Sequence, residues 1–301
     1  MRSVNIALWG LLLWISAAES VAAQGEAGQL GAGLERVYSQ WRSALMTRNV
    51  AVWQAVTAGH RQAQVRNRLV SERRAYPAGV FELPAAPPAL TGLKCVRVRQ
   101  KGRTAKLVYF GKVDFGVGGE PSDNLYVVSF VQEGGGAWKY DSADFVSLAA
   151  LPAERAEIAA GQYGYLDETA DFQPDGEVPA VPPLVGPPQL LAKVYIYAPG
   201  RDVRVQVNKL SQHRVVNNRE ADIVIGGVKA GVNELQWTIS PLPGASGKEA
   251  MTIRVYLLSE VEGIKPVKAF EYQVDEGQKP SPSGSLEFTV GPPMVKALMG
   301  R

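Results

Sequence analysis

Cysteine is almost absent: Cys95 is the only one in 301 residues, so no disulfide can form within the chain and its stability must come from buried apolar cores. Histidine is nearly as scarce, with only His60 and His213, and two histidines placed in different domains do not make a histidine-rich metal site. Long apolar runs are missing as well. The longest, near the start, runs from Ile6 to Ala18 and has 13 residues, short of the ~20 a spanning helix needs. The chain has no Gly-x-Ser-x-Gly elbow, no His-Glu-x-x-His, no paired cysteines and no Asn-x-Ser/Thr acceptor. Gly244 to Lys248 ends like a phosphate loop, but Glu249 stands where Ser or Thr is needed and Leu242 where the first glycine belongs. Gly116, Gly118 and Gly119 lack the third glycine of a dinucleotide fingerprint. No metal and no cofactor are expected.

What is present begins with a leader-like segment. Arg2, the apolar run, and Val21-Ala22-Ala23 before Gln24 read as a secretory signal covering residues 1–23, with no lipoprotein cysteine after it. The expectation is a periplasmic or secreted protein with no transmembrane segment in the mature chain. Missing glycosylation acceptors fit a bacterial envelope better than a glycosylated route. The net charge of +3 hides a strong division: residues 24–150 carry +6, residues 151–187 carry −6 and residues 188–301 carry +3. These shifts place the domain boundaries.

In the first block, Leu34, Val37, Tyr38, Trp41 and Leu45 recur at helical spacing. Asn49 is placed to cap a second helix bearing Trp53 and Val56, and a third runs from His60 through five arginines. From Leu93 the period changes to two. LKCVRV and TAKLVYFGKVDF read as strands joined at QKGR, and NLYVVSFVQE pairs with AWKYD across Gly134-Gly135-Gly136. Helices followed by an antiparallel sheet define an α+β domain.

The helix with Trp41 and Ala44-Leu45, the break at Thr47-Arg48-Asn49, Trp53 in the next helix and the meander ending Gly136-Ala137-Trp138-Lys139-Tyr140 resemble the nuclear transport factor 2-like (SnoaL-like) cone fold over residues 33–150. The resemblance implies a curved sheet wrapped on helices around an interior lined by Tyr38, Trp41, Tyr109, Trp53, Phe130 and Trp138. It implies no single function, because that superfamily includes both enzymes and non-catalytic domains.

In LYVVSFV, Leu125, Val127 and Val131 point one way and Tyr126, Val128 and Phe130 the other, so both faces are apolar. An antiparallel sheet wet on one side should alternate with polar residues. The outer face is therefore expected to be covered, by the second domain or by a second copy in a homodimer. Residues 151–187, opening with a segment able to form a short helix and followed by six prolines from Pro174 to Pro188, read as an acidic, extended linker, its charges solvated or, as the alternative, lying against the basic first domain.

Residues 188–290 read as eight short strands separated by turns, an all-β sandwich similar to immunoglobulin-like accessory modules. The tail 291–301 reads as loose, with Met294, Val295, Leu298 and Met299 spaced to dock if it forms a helix.

Candidate chemistry is sparse. An acid/base enzyme in the cone would draw on His60, Asp114 or Asp141, with Tyr38 or Tyr109 as donors. His213 reads as a surface residue. Lys94, Arg97, Arg99, Lys101, Arg103 and Lys106 fall close together with no acid among them, and strand alternation puts Cys95, Arg97 and Arg99 on one face. Arg97, Arg99 and Lys106 are thus candidate anion ligands, set against a solvated hairpin tip. No nucleic-acid partner is expected. The leading reading is a non-catalytic binding or assembly protein whose partner is an envelope protein or glycan. The alternative is a small-molecule isomerase or dehydratase.

Overall fold

Asn49 stops one helix and starts the next, because its side chain accepts from the Val52 backbone N–H at 3.1 Å and satisfies a donor the new helix would otherwise leave open. In the computed structural model, which describes residues 9–113 and 122–300, helix α1 spans Trp9–Met46, α2 Val50–Val56 and α3 Gly59–Ser71. The protein is α+β, with six α-helices and three four-stranded antiparallel sheets among the described residues. None of these helices is long and apolar enough to cross a membrane.

Two compact units divide the chain. The first comprises the described residues up to Gln62 together with Phe81–Val181. Its sheet is a meander of β1 (Lys94–Lys101), β2 (Thr104–Lys112), β3 (Asp123–Gln132) and β4 (Trp138–Val146), in the order β1-β2-β3-β4. Gly135 and Gly136, at φ of 80° and 83°, turn the chain between β3 and β4, a conformation that glycine adopts without steric cost. One face of the sheet carries Leu107, Tyr109, Tyr126, Val128, Phe130 and Tyr140, packed against Leu34 and Tyr38 of α1.

The other face is already covered within the first unit. Val108, Phe110, Leu125 and Val127 are buried under Leu148, Ile158, Leu166 and Phe172 of the following segment, which forms helices α4 (Pro152–Ala159) and α5 (Gly164–Glu168). Residues expected to be a free linker are therefore a strap that completes the fold. Apolar residues at 158, 166 and 172 are too widely spaced to show a helical or strand period, so a composition rich in acid and proline masked them.

The second unit joins Ala63–Val80 to Pro182–Arg301. Its eight strands fall where alternation predicts them. Strands β5 (Ala192–Tyr197), β8 (Arg219–Ile223), β10 (Met251–Leu257) and β11 (Val267–Val274) form a sheet of order β11-β10-β5-β8. Strands β6 (Arg201–Val207), β7 (Ser211–Val216), β9 (Gly231–Pro241) and β12 (Ser283–Val290) form another, of order β12-β9-β6-β7. Both sheets contribute to one apolar cluster that includes Val194, Ile196, Val203, Val205, Leu235, Trp237, Ile253 and Val255. The tail is not loose: α6 (Pro292–Leu298) docks Met294, Val295 and Leu298 on this cluster, while Met299 stays exposed.

The proline-rich stretch is extended as expected, but it is held. Asn67 of α3 donates to the Pro183 carbonyl at 2.9 Å and accepts from the Val185 N–H at 3.0 Å. Arg66 donates to the Val185 carbonyl, and Arg73 to those of Pro188 and Gln189.

His213 lies inside, with its side chain only 5% exposed, correcting its expected surface position. Its Nε2 is 2.7 Å from the Ser211 hydroxyl, and the Ser211 oxygen accepts from the Ile225 N–H. Burial pushes the imidazole pKa below its ordinary 6.5, against an upward pull from Asp222, with Arg68 reinforcing the fall. An unfolded chain therefore binds a proton near pH 6.5 that the folded one refuses until lower pH. Unit 2 should thus lose stability as the pH falls below that point. In His213→Gln, urea-unfolding midpoints taken between pH 7 and pH 5 should fall less steeply than in the unaltered chain; parallel slopes would refute this.

Candidate functional site

Asp141 is the extra residue of a β-bulge. Ser129 faces Ser142 and Phe130 faces Tyr140, which leaves Asp141 opposite nothing on β3. Bulges re-aim the side chain they carry, and here the carboxylate reaches His60 in the first turn of α3. His60 Nε2 lies 2.6 Å from Asp141 Oδ1 with the histidine 2% exposed, and Arg61 Nε donates to the Asp141 carbonyl at 2.6 Å. Glu133 completes this junction by accepting from the Gly59 N–H at 2.7 Å. Two of the sequence candidates are thus a bonded pair beside a small polar pocket of about 210 Å³, also lined by Lys106, Ser129, Ser142 and Asp144. Asp114, the third, lies outside the described residues.

The other members of the acid/base set are engaged elsewhere. Tyr38 donates to the Pro88 carbonyl at 2.6 Å and lies 3.0 Å from the Tyr126 hydroxyl, while Tyr109 donates to Glu35 at 2.5 Å. Burial pushes both phenols well above their ordinary pKa. Most of the residues expected to line an interior pack on one another in one apolar cluster. Trp41 stacks on Tyr140 with ring centres 3.8 Å apart, and Tyr38 lies 5.5 Å from Trp41. Phe130 and Trp53 are buried, and Trp138 packs at the margin of the same cluster.

The basic candidates meet an anion from their own chain. Asp167 of α5 accepts from Arg97 through both oxygens, at 2.9 and 3.0 Å, and also from Arg99. Gln173 accepts from Arg99 at 2.6 Å, the Asp171 carbonyl accepts from Lys106 at 2.6 Å, and the Arg97 guanidinium lies 4.3 Å from the Tyr163 ring centre. The forked bond from Arg97 holds the Asp167 carboxyl below the usual carboxylate range. Cys95 does not share their face. A bulge lets Cys95 face Tyr109 and Arg97 face Val108, so the alternation inverts at Val96. Arg66, Arg68 and Arg73 are likewise spent within the second unit, Arg68 on Asp222 at 2.9 Å.

A feature that residue-by-residue inspection missed lies on the β12-β9-β6-β7 sheet. Strand register places Ser285, Gln236, Gln206 and Gln212 in one row across all four strands, and Ser283, Thr238, Arg204 and Arg214 in the next. Their alternates Val205, Trp237 and Val215 point into the core, so both rows face out. They line a shallow groove of about 760 Å³. Gln236 and Ser285 lean on Glu234, at 2.7 and 2.9 Å, and Arg214 is forked on Asp202 at 3.0 and 2.8 Å. Among the described residues, the side chains of Gln206, Gln212, Thr238 and Ser283 have no hydrogen-bond partner. Arg204, 63% exposed, approaches Asp202 only at 3.9 Å. No group of acids, histidines and cysteine suited to a metal ion occurs among the described residues.

No family model matches the chain, and neither a curated protein nor a solved structure matches it.

Proposed function

We propose that this is an exported, non-catalytic binding protein in which the cone-like α+β domain is a filled framework and the second unit, a β-sandwich, presents the ligand surface. The ligand is a glycan. One observation carries the reading: two rows of amide, hydroxyl and guanidinium groups stand side by side on an open sheet face, several with their hydrogen-bonding capacity unused. Polyhydroxylated chains are recognised by such planar, two-way hydrogen bonding, and two adjacent rows that carry only amide, hydroxyl and guanidinium groups suit them better than a protein hot spot, which needs a buried aromatic or aliphatic anchor.

The isomerase or dehydratase alternative draws support from the His60–Asp141 pair beside its polar pocket. Isothermal titration of the full chain with a panel of soluble oligosaccharides separates the two. Binding to at least one oligosaccharide without turnover is expected, weakened at least about tenfold by Gln206→Ala with Gln236→Ala, as loss of two or more hydrogen bonds implies. Unchanged affinity in that double variant overturns the surface assignment. Consumption of the oligosaccharide that stops in Asp141→Asn would establish the enzyme.

A further inference from the structure

Resting on the glycan reading, we infer that the ligand is an acidic glycan whose carboxylates are read by Arg204. The two rows differ in chemistry: one is wholly neutral, Ser285-Gln236-Gln206-Gln212, whereas the other, Ser283-Thr238-Arg204-Arg214, ends in two guanidinium groups. Arg214 is already neutralised by its forked bond to Asp202. Arg204, one strand further in, keeps an exposed guanidinium whose one ion pair among the described residues is with Asp202, at 3.9 Å. Its planar fork matches a carboxylate in shape and charge.

Spacing favours a chain running across the strands. Neighbouring strands lie about 4.8 Å apart, so each row spans roughly 14 Å from β12 to β7. That step is close to the advance of one ring in an extended pyranose chain, which lets successive rings meet successive strands. A ring above β6 would place its hydroxyls over Gln206 and its carboxylate over Arg204. The rings to either side would meet Gln236 with Thr238, and Gln212.

Short oligogalacturonates and their methyl esters share a backbone and differ only in charge, so they test the inference on the full chain by isothermal titration. The acid form is expected to bind at least about tenfold more tightly than the ester, as charge-assisted hydrogen bonds imply. Arg204→Gln should abolish that preference and Arg204→Lys should restore part of it, with circular dichroism confirming that each exposed substitution leaves the fold intact. Equal binding of acid and ester overturns the acidic inference and leaves the glycan reading standing. Polyaspartate binding as tightly through Arg204 overturns both in favour of an acidic peptide. Failure of the acid form, of the ester and of uronate-containing hyaluronan oligomers alike overturns the acidic inference, and the glycan reading falls with it only if the neutral oligosaccharides of the panel also fail to bind.

Discussion

Replacing Phe172 by alanine is expected to lower the unfolding free energy of the first unit by about 3–5 kcal/mol, the usual range for a fully buried phenylalanine. Phe172 is 1% exposed, stacks edge-on against Tyr165 at 5.5 Å and closes the cluster formed by Val108, Leu125 and Val127. The loss should reach further than one cavity. Phe172 adjoins Asp171 and Gln173, which hold Lys106 and Arg99, so a loosened strap also releases the basic face. The variant should therefore show a lower thermal midpoint, increased binding of a hydrophobic dye and earlier proteolysis between Leu151 and Pro174. Asp167→Asn is the informative companion, because it weakens only exposed ion pairs and should cost far less, within about 1 kcal/mol. Equal effects from the two substitutions would mean that charge rather than apolar burial holds the strap, contrary to the assignment above.

Gly284→Val should be still more disruptive, to the point of preventing the second unit from folding. Gly284 faces Trp237 across the β9–β12 ladder, and a Cβ there would sit 2.2 Å from the indole Cζ2. The indole is hemmed in by Tyr272, with ring centres 4.6 Å apart, and its Nε1 donates towards the Ser281 carbonyl at 3.4 Å, so it has little room to move aside. Overpacking in less confined cores costs about 1–3 kcal/mol, and atoms this close exceed what such adjustments absorb. A second substitution, Trp237→Leu, makes the prediction specific. It should recover soluble, folded protein in the Gly284→Val background while being destabilising alone. Failure to recover would show that the glycine serves the backbone rather than the ring.

Much of this molecule was readable wherever its determinants are local. The eight strands of the second unit follow from short apolar stretches separated by turn residues, and alternation is clearest in β6, where Arg201, Val203, Val205 and Val207 are buried and the residues between them are not. The Asn49 cap and the glycine turn before Trp138 were equally visible, because each is settled within a few residues. Two single-residue insertions defeated the same logic elsewhere. The bulges at Val96 and Asp141 each shift parity by one, and nothing in a period-two pattern announces where it will break. One separated Cys95 from Arg97; the other aimed Asp141 at His60, 81 residues away in sequence. The basic cluster was found, and the acidic segment was a candidate to lie on it, but solvation was the favoured reading and nothing local singles out Asp167, 70 residues beyond Arg97. The polar rows could be found only once strand order was known. Ser285 and Gln212 belong to one row because β9 and β6 lie between β12 and β7, an arrangement that sequence order conceals.

The position of Asn67 bears on how the polypeptide is made. Its amide bonds residues 116 and 118 places later, and the stretch Ala63–Val80 belongs with strands that run to the C-terminal end of the chain. As synthesis proceeds, this part of α3 must wait, partnerless, while more than a hundred further residues are added. Such long-range closure slows assembly and leaves the waiting segment open to wrong associations. A gene fragment that starts at Pro188 would encode every strand of the second unit and still omit the helix on which Pro183 and Val185 are fastened.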